Sequence, residues 1–254
     1  MTIHTFEPDH YYVTIGTHPP VLRVADGDTV RTKTIDARGW DQQRRRVAER
    51  GNPQTGPFYV EGAEPGDALA VTFDKIVPNR RYGFTADALA YNVVDPDFAA
   101  NIRRTNEVVA WDVDVDSWTA TLEGELTGLG KLTLPLDPML GCFGVAPARG
   151  QAISTATSGP HGGNMDYRGF RRGATIWLPV SAPGALFTLG DCHAVQGDGE
   201  ISGTGIEISA DVEFTVRVLK GKTISWPRAE DAEFIMTVGN ARPLDQALQN
   251  ATTE

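Results

Sequence analysis

Short segments in which apolar and polar residues alternate, bounded by glycine and aspartate turns, recur along this chain. The clearest lie at residues 11–36, 65–73, 111–118 and 208–227. Alternation with β-branched enrichment is typical of half-buried strands. A doubly wound parallel sheet would need strands that alternate regularly with long helices, and this sequence lacks that pattern. We therefore predict a mainly β fold, built of β-sandwich or barrel-like modules with few helices.

Helical patterns are confined to a short segment near residues 96–104 and to the last residues of the sequence. In the second, Pro243 can occupy the first turn of an amphipathic helix. Its apolar positions fall on one helical face, at Leu244, Ala247, Leu248 and Ala251. The sequence therefore predicts a C-terminal helix.

Length and charge limit the function classes. At 254 residues the chain can bury one substantial core. We predict a single domain over residues 1–254, with intimate β subdomains 1–140 and 141–254 as the alternative. The net charge of −10 argues against a nucleic-acid surface, which needs clustered lysine and arginine. Neither a signal peptide nor a bilayer-length apolar run is found, so we expect a cytoplasmic protein without a membrane partner.

The residues most suited to chemistry lie between residues 158 and 207. This stretch combines imidazoles, carboxylates and many glycines, with His161, Asp166, Asp191, His193 and Glu200 as its candidate site residues. Imidazole and carboxylate groups are ordinary ligands of zinc-like ions, and glycines let loops bring them together. On an extended segment the side chains of Asp191 and His193 point to the same face. A Gly-Gly-Asn turn separates His161 from Asp166. The stretch predicts a metal site with His161, Asp166, Asp191 and His193 as ligands.

Four further positions complete the predicted site. Asp36 follows an early strand, where a carboxylate can enter a site, and is predicted to be a further metal ligand, with capping of a turn as the alternative. Glu200 lies in a Gly-Asp-Gly-Glu loop and is predicted to be the catalytic proton carrier. Asn164 and Gln196 are predicted to position the substrate, or else to tie down their own loops.

Mixed nitrogen and oxygen ligands favour Zn²⁺, although an oxygen-rich subset of these acids would also accept Ca²⁺. A zinc-like ion polarises a carbonyl oxygen and lowers the pKa of a bound water to about 7. A nearby glutamate can then pass a proton to a leaving nitrogen. Such a site suits the hydrolysis of an amide.

Several sequence blocks resemble the acetamidase/formamidase family from about His10 to the C-terminal helix. They are NPQTGPFYVEGAEPGD, GVAPARG, GPHGGNMD and PGALFTLGDCHAVQGDGE, followed by GTGIE. The resemblance implies a β-rich fold, metal-dependent hydrolysis of small aliphatic amides to a carboxylate and ammonia, and a homo-oligomer. It places the predicted ligands in the blocks HGGNMD and GDxHAxQGDGE, and Asp36 in an early strand-end motif.

Two alternatives remain open at the level of sequence. A cysteine-dependent amidase would use Cys192 or Cys142 as its nucleophile. Against it, Cys192 and His193 are adjacent, and adjacent residues of a strand point to opposite faces. A non-catalytic β module would use the same ligands to bind an ion or a small ligand, since structural metal sites have the same chemistry.

Overall fold

The computed structural model describes residues 1–86, 89–90, 93–102, 107–124, 128 and 130–254. Its strands are β1 (Ile3–Thr5), β2 (Thr14–Ile15), β3 (Leu22–Val24), β4 (Thr29–Thr34), β5 (Thr55–Val60), β6 (Ala68–Pro78), β7 (Tyr82–Ala86), β8 (Val108–Asp114), β9 (Thr119–Leu122), β10 (Thr133–Pro135), β11 (Met139–Gly144), β12 (Ile153–Ser154), β13 (Ser158–Gly159), β14 (Gly162–Asn164), β15 (Thr175–Pro179), β16 (Phe187–His193), β17 (Glu207–Ile208), β18 (Ala210–Leu219), β19 (Arg228–Glu230) and β20 (Ile235–Thr237). Its α-helices, over the described residues, are α1 (Pro96–Ala99) and α2 (Leu244–Thr253), and short 3₁₀ helices lie at Ala148–Gly150 and Asp198–Glu200. The predicted mainly β fold and the C-terminal helix are confirmed.

Both helices are short. The side chain of Asp95 accepts a hydrogen bond from Asp97 N and caps α1. This helix covers the first part of the segment predicted near residues 96–104, and residues 103–104 lie outside the described part of the chain. In the described ranges, neither helix has the length and apolar character needed to cross a bilayer.

One sheet of seven strands has the order β1-β4-β18-β6-β15-β19-β20 over the described residues. Its centre is the long antiparallel pair of β6 and β18. Alternate residues of β18 are buried, as the sequence pattern predicts, including Val212, Phe214 and Val216. Antiparallel strands of this kind commonly bury one face and leave the other to solvent.

The larger sheet has the order β10-β9-β8-β7-β17-β16-β11-β14-β13, with β5 joined to β16 and β3 to β5. Aromatic pairs join the two sheets: the ring centroids of Phe58 and Phe214 lie 5.3 Å apart, and those of Phe73 and Phe143 lie 5.1 Å apart. The two sheets therefore enclose one apolar core, as a sandwich does. Strands from residues 1–140 and from 141–254 contribute to both sheets.

The two faces of the larger sheet differ. Cys192 and Ile208 are register partners on β16 and β17, and both side chains belong to the apolar core. On the same strands, His193 is paired with Glu207, and Glu207 is paired with Phe84 on β7. Residues directly opposite each other share a face, and successive residues of a strand alternate between faces. His193, Glu207 and Phe84 therefore form a row on the face turned away from the core.

The segment at residues 38–54 folds back on itself before the chain enters β5. Trp40 and Arg46 form an isolated bridge. The carboxylate of Asp41 accepts hydrogen bonds from the backbone N–H groups of Gln43 and Arg45, at 2.9 and 2.8 Å. The turn is thus held by its own side chains, and it packs against the row of residues on the outer face.

Candidate metal centre

The candidate centre is built around His193, the last residue of β16. Its side chain is buried, and its Nε2 atom faces three carboxylates: Glu207 Oε1 at 3.0 Å, Asp191 Oδ1 at 3.5 Å and Glu200 Oε1 at 4.0 Å. Two overlapping groups of ligand atoms within 4.8 Å of one another occur here, Asp166 with Asp191 and His193, and His193 with Glu200 and Glu207. Four acids thus converge on one imidazole nitrogen.

Gln196 determines which nitrogen of His193 carries the proton. Its Nε2 atom donates to the backbone oxygen of Asp166 at 2.6 Å, and a carbonyl oxygen can only accept. The amide is therefore oriented with Oε1 toward His193 Nδ1, 2.7 Å away. Nδ1 must be the donor in that contact, so neutral His193 directs the lone pair of Nε2 at the carboxylates. In this tautomer, Nε2 has no hydrogen-bond partner among the residues that the structure describes.

The carboxylates are crowded enough to shift one another's pKa. Burial, together with the charges of Asp191 and Glu200, raises the pKa of Asp166 to about 9. Burial raises the pKa of Glu207 to about 7 despite its partner His193, and burial also raises the pKa of Glu200. So many buried acids cannot all be ionised without a compensating cation.

The charge of the acids also acts on the imidazole. Burial alone would lower the pKa of His193, but Glu207 and Asp191 outweigh it and raise that pKa well above the ordinary value. The cluster therefore attracts positive charge at the position of Nε2, where either a proton or a metal ion would supply it.

Gly141 on β11 leaves open the space into which these groups point. A Cβ atom added there would lie 2.8 Å from Asp191 Oδ2 and 3.2 Å from His193 Cε1, and would collide with Asp166 Oδ1. Like His193 Nε2, Asp166 Oδ1 is buried and has no hydrogen-bond partner in the described part of the chain. Unpartnered nitrogen and oxygen atoms around a space without a side chain fit a divalent cation.

Backbone strain accompanies the cluster. Asp166, Asp191 and Glu200 have φ values of 44°, 58° and 46°, in the left-handed region that non-glycine residues rarely adopt. Asn52, at φ 53°, holds Asp191 in place: its Nδ2 atom donates to Asp191 Oδ2 at 3.1 Å and to Asn164 Oδ1 at 2.7 Å. Such strain costs on the order of 1–3 kcal/mol per residue and is typical of functional sites.

Of the predicted ligands, the structure brings together Asp166, Asp191 and His193. It does not bring His161 to them: none of the ligand groups in the described part of the chain includes His161. The imidazole of His161 packs instead against Gly159 and Gly163 in the β13–β14 hairpin, and burial lowers its pKa to about 4.

Asp36 also lies outside the cluster. Its Oδ2 atom is 2.5 Å from Arg80 Nη2, and both side chains are buried. Its Oδ1 atom accepts hydrogen bonds from the backbone N–H groups of Arg38 and Trp40. The turn-capping alternative therefore describes Asp36 better than the role of ligand, because its oxygens are already engaged.

The two residues predicted to position substrate are engaged within the chain. Both polar atoms of Gln196 have partners, His193 and the Asp166 carbonyl. Asn164 accepts from Asn52 and donates to Asp166 Oδ2. Asn164 and Gln196 therefore hold the loops of the centre, as the alternative to substrate binding proposes, and Gln196 also joins its own loop to that of Asp166.

Two residues of the centre were missing from the predicted site. Glu207 is an acid between Ile206 and Ile208, and a charged residue in an apolar strand was the signal for its buried role. Asn52 stands in a Gly-Asn-Pro turn, where asparagine is common for local reasons, so its sequence carried no such signal.

Both cysteines are unsuited to nucleophilic catalysis. The side chain of Cys192 is in the apolar core, on the face opposite His193, and burial raises its pKa to about 12. The thiol of Cys142 is buried and donates to the backbone oxygen of Thr155 at 3.3 Å, and burial raises its pKa as well. A reactive thiolate needs a lowered pKa and access to substrate.

Comparisons with known proteins identify the family and the fold of the chain. The sequence profile of the Acetamidase/Formamidase family matches residues 16–153 and 147–243. A crystal structure of a recombinant predicted acetamidase/formamidase from Thermoanaerobacter tengcongensis superposes with a TM-score of 0.83 at 31% identity, over 99% of this chain and 81% of that one.

Two curated relatives are longer than this chain. The formamidase of Methylophilus methylotrophus is 32% identical over 208 residues, which are 65% of this chain and 51% of the relative. A protein of Schizosaccharomyces pombe is 23% identical over 249 residues, which are 78% of this chain. The chain spans 61% of the length of that second relative.

Proposed function

Because this chain belongs to the acetamidase/formamidase family, we propose that it hydrolyses the C–N bond of small linear amides, giving a carboxylate and ammonia. The observation that carries the proposal is the buried cluster of Asp166, Asp191 and His193 around the space at Gly141. Relatives named formamidase and acetamidase supply the substrate class.

We assign the first positions around a divalent cation to His193 Nε2 and to the carboxylates of Asp166 and Asp191. Glu207 supports them, because it pairs with His193 and is itself fully buried. When bound, the cation would polarise the amide carbonyl and make water acidic enough to react near neutral pH. Nitrogen and oxygen ligands together favour Zn²⁺, with Ca²⁺ as the alternative.

Glu200 is the proposed proton carrier. Its side chain is 16% exposed, whereas those of Asp191 and Glu207 are each 3% exposed, so it is more open to solvent than they are. Burial raises its pKa, which makes it a better proton acceptor and donor near neutral pH. Its carboxylate takes a proton from the attacking water and delivers it to the amide nitrogen, so that the C–N bond breaks as ammonia leaves.

The test combines metal content with turnover. Elemental analysis of the purified protein is paired with ammonia release from formamide and acetamide, before and after chelation. We expect stoichiometric divalent metal and chelator-sensitive release. Gly141→Ala should abolish both metal binding and turnover, because its Cβ fills the space between the ligand atoms.

Gly197→Ala is the matched control. Gly197 is next to Gln196, has φ −84°, and a Cβ added there meets nothing within 4 Å. Both metal and turnover should survive this change. Full activity in metal-free protein would overturn the proposed centre. Bound metal without turnover of any amide would instead support the non-catalytic module.

Two broader parts of the proposal are a homo-oligomeric assembly, which rests on the family resemblance, and action in the cytoplasm, which is carried over as an expectation from the sequence. Light scattering on the purified protein measures the first, and fractionation of the source cells measures the second.

A further inference from the structure

A cavity of about 120 Å³ lies over β7, and basic and aromatic side chains form much of its wall. The basic side chains are those of Arg38, Arg44 and Arg80, and the rings of Tyr82 and Phe84 form its floor. In a chain of net charge −10, such a concentration of positive charge suggests that the cavity receives an anion.

Arg80 is not available to a ligand. Its Nη2 atom is 2.5 Å from Asp36 Oδ2, and the two side chains are 4% and 1% exposed. Its Nε atom donates to Tyr82 O at 2.7 Å, and its Nη1 atom donates to the carbonyl oxygens of Trp40 and Asp41. Arg80 and Asp36 therefore neutralise each other inside the wall of the cavity.

Arg38 and Arg44 remain as cations without a counter-charge. Neither has a carboxylate within 4.0 Å in the described ranges of the chain. The guanidinium carbon of Arg38 lies 4.9 Å from the ring centre of Phe84, and that of Arg44 lies 3.9 Å from the ring centre of Tyr82. Stacking on a ring fixes the plane of a guanidinium group and leaves its N–H edge free to bind.

The turn that carries Arg44 is stabilised by hydrogen bonds within the turn. Arg44 has φ 58°, and its N–H donates to Asp41 O at 3.0 Å. The Asp41 carboxylate accepts in turn from the backbone N–H groups of Gln43 and Arg45 and from the Arg45 side chain. The position of the guanidinium group is therefore set by an ordered turn with a strained residue at its centre.

Two routes of contact place the cavity beside the metal centre. Along the outer face, Phe84 pairs with Glu207 and Glu207 pairs with His193, so the cavity floor begins two strands from the imidazole. Neighbouring strands are about 5 Å apart, which gives about 10 Å across the row. Along the loops, Ala37 O accepts from the N–H of Asn52, whose side chain holds Asp191.

We propose that Arg38 and Arg44 bind the carboxylate end of the substrate, and that the preferred substrates are half-amides of dicarboxylic acids. The proposal rests on the proposed amide hydrolysis, to which it adds a substrate class. A guanidinium group matches a carboxylate in charge and in planar geometry. Two strand spacings, about 10 Å, separate the backbones at His193 and Phe84, and Arg38 stacks on Phe84, so an extended substrate with its amide at the metal centre would direct its carboxylate toward the arginines.

The experiment compares kcat/KM for the series from malonamate to adipamate with neutral amides of the same chain length. We expect one half-amide to exceed its neutral counterpart. Arg38→Gln and Arg44→Gln should each raise KM for that half-amide about 10-fold or more, as expected for the loss of a charge-assisted hydrogen bond. Neither change should alter kcat/KM for the neutral amide. Arg50→Gln, an exposed arginine outside the cavity, is the matched control and should change nothing.

Several outcomes would overturn the subsite. Equal losses for charged and neutral amides would mean that the arginines act through the metal centre. No preference for any half-amide, with acetate binding at the same arginines, would make the cavity a site for free anions. Calorimetric titration with glutarate tests the subsite separately from the proposed hydrolysis. Glutarate binding that depends on both arginines, in a protein that turns over no amide, would support the subsite and contradict the proposed hydrolase activity.

Discussion

At the scale of single residues, the centre depends on the ligands and also on the side chains that contact and orient them. Gln196 fixes the proton of His193 on Nδ1 and also holds the Asp166 carbonyl. Asn52 bridges Asp191 and Asn164. Partners of this kind orient the ligand and select its tautomer, so metal affinity depends on them.

We predict that Gln196→Met weakens metal binding about 10- to 100-fold, because His193 loses its Nδ1 acceptor while the side-chain volume is nearly kept. Competition with a chromophoric chelator measures the affinity without any need for turnover. Gln151→Met, at an exposed position, is the control. An unchanged dissociation constant for Gln196→Met would show that the tautomer is set in another way. Gln196→Glu should rescue part of the affinity, since a carboxylate can still accept from Nδ1.

At the scale of elements, the two faces of the larger sheet have different roles. Its inner face packs against the other sheet, and its outer face presents His193 and Glu207 from adjacent strands. The segments that carry Asp166 and Glu200 place these carboxylates next to His193. Pro243, predicted to lie in the first turn of helix α2, instead precedes the helix in extended conformation. On the predicted apolar face, Leu244 and Leu248 are 83% and 63% exposed.

The edge strand β1 depends on Asp28. The carboxylate of Asp28 contacts His4 Nε2 at 2.8 Å and accepts from Thr2 N at 2.7 Å. These contacts, that of His4 first, lower its pKa from 3.8 to about 2. A carboxylate with a lowered pKa in the folded state stabilises the fold fully above its unfolded pKa, and the contribution is lost as the pH falls toward the folded value. The relevant range is therefore from about pH 4 down to about pH 2.

We predict that Asp28→Asn lowers the Tm at neutral pH by about 2–8 °C, because charge-assisted hydrogen bonds are lost. The Tm of the variant should also fall less than that of the unmodified protein between pH 4 and pH 2. Thermal denaturation across this pH range measures both effects. Asp116→Asn, at an exposed position, is the control, and its Tm should change with pH in the same way as that of the unmodified protein. Parallel curves for Asp28→Asn as well would contradict the role given to Asp28.

At the scale of the whole molecule, the metal centre joins segments that are far apart in sequence. Asn52, Gly141, Asp166, Asp191 and Glu207 lie on different loops and strands, and their acids repel one another when no cation is present. A ligand that binds only the folded state raises stability in proportion to the logarithm of its concentration.

We predict that adding the bound divalent metal at about 100 times its dissociation constant raises the Tm of the metal-free protein by about 5–10 °C. Differential scanning calorimetry with and without metal measures the change. Gly141→Ala should show little or no increase, because its Cβ occupies the space between the ligands. An equal increase in that variant would mean that the metal binds elsewhere.

The amino-acid sequence was enough to predict the β character of the chain, its C-terminal helix and the segment around Asp191 and His193, because local periodicity and closely spaced ligand types indicate them. It also gave Cys192 and His193 opposite faces, as the strand requires. It could not tell that Asp36 is held by Arg80, that His161 packs in its own hairpin, or that Glu207 completes the cluster. Those assignments depend on which strands become neighbours, and only the tertiary structure decides that pairing.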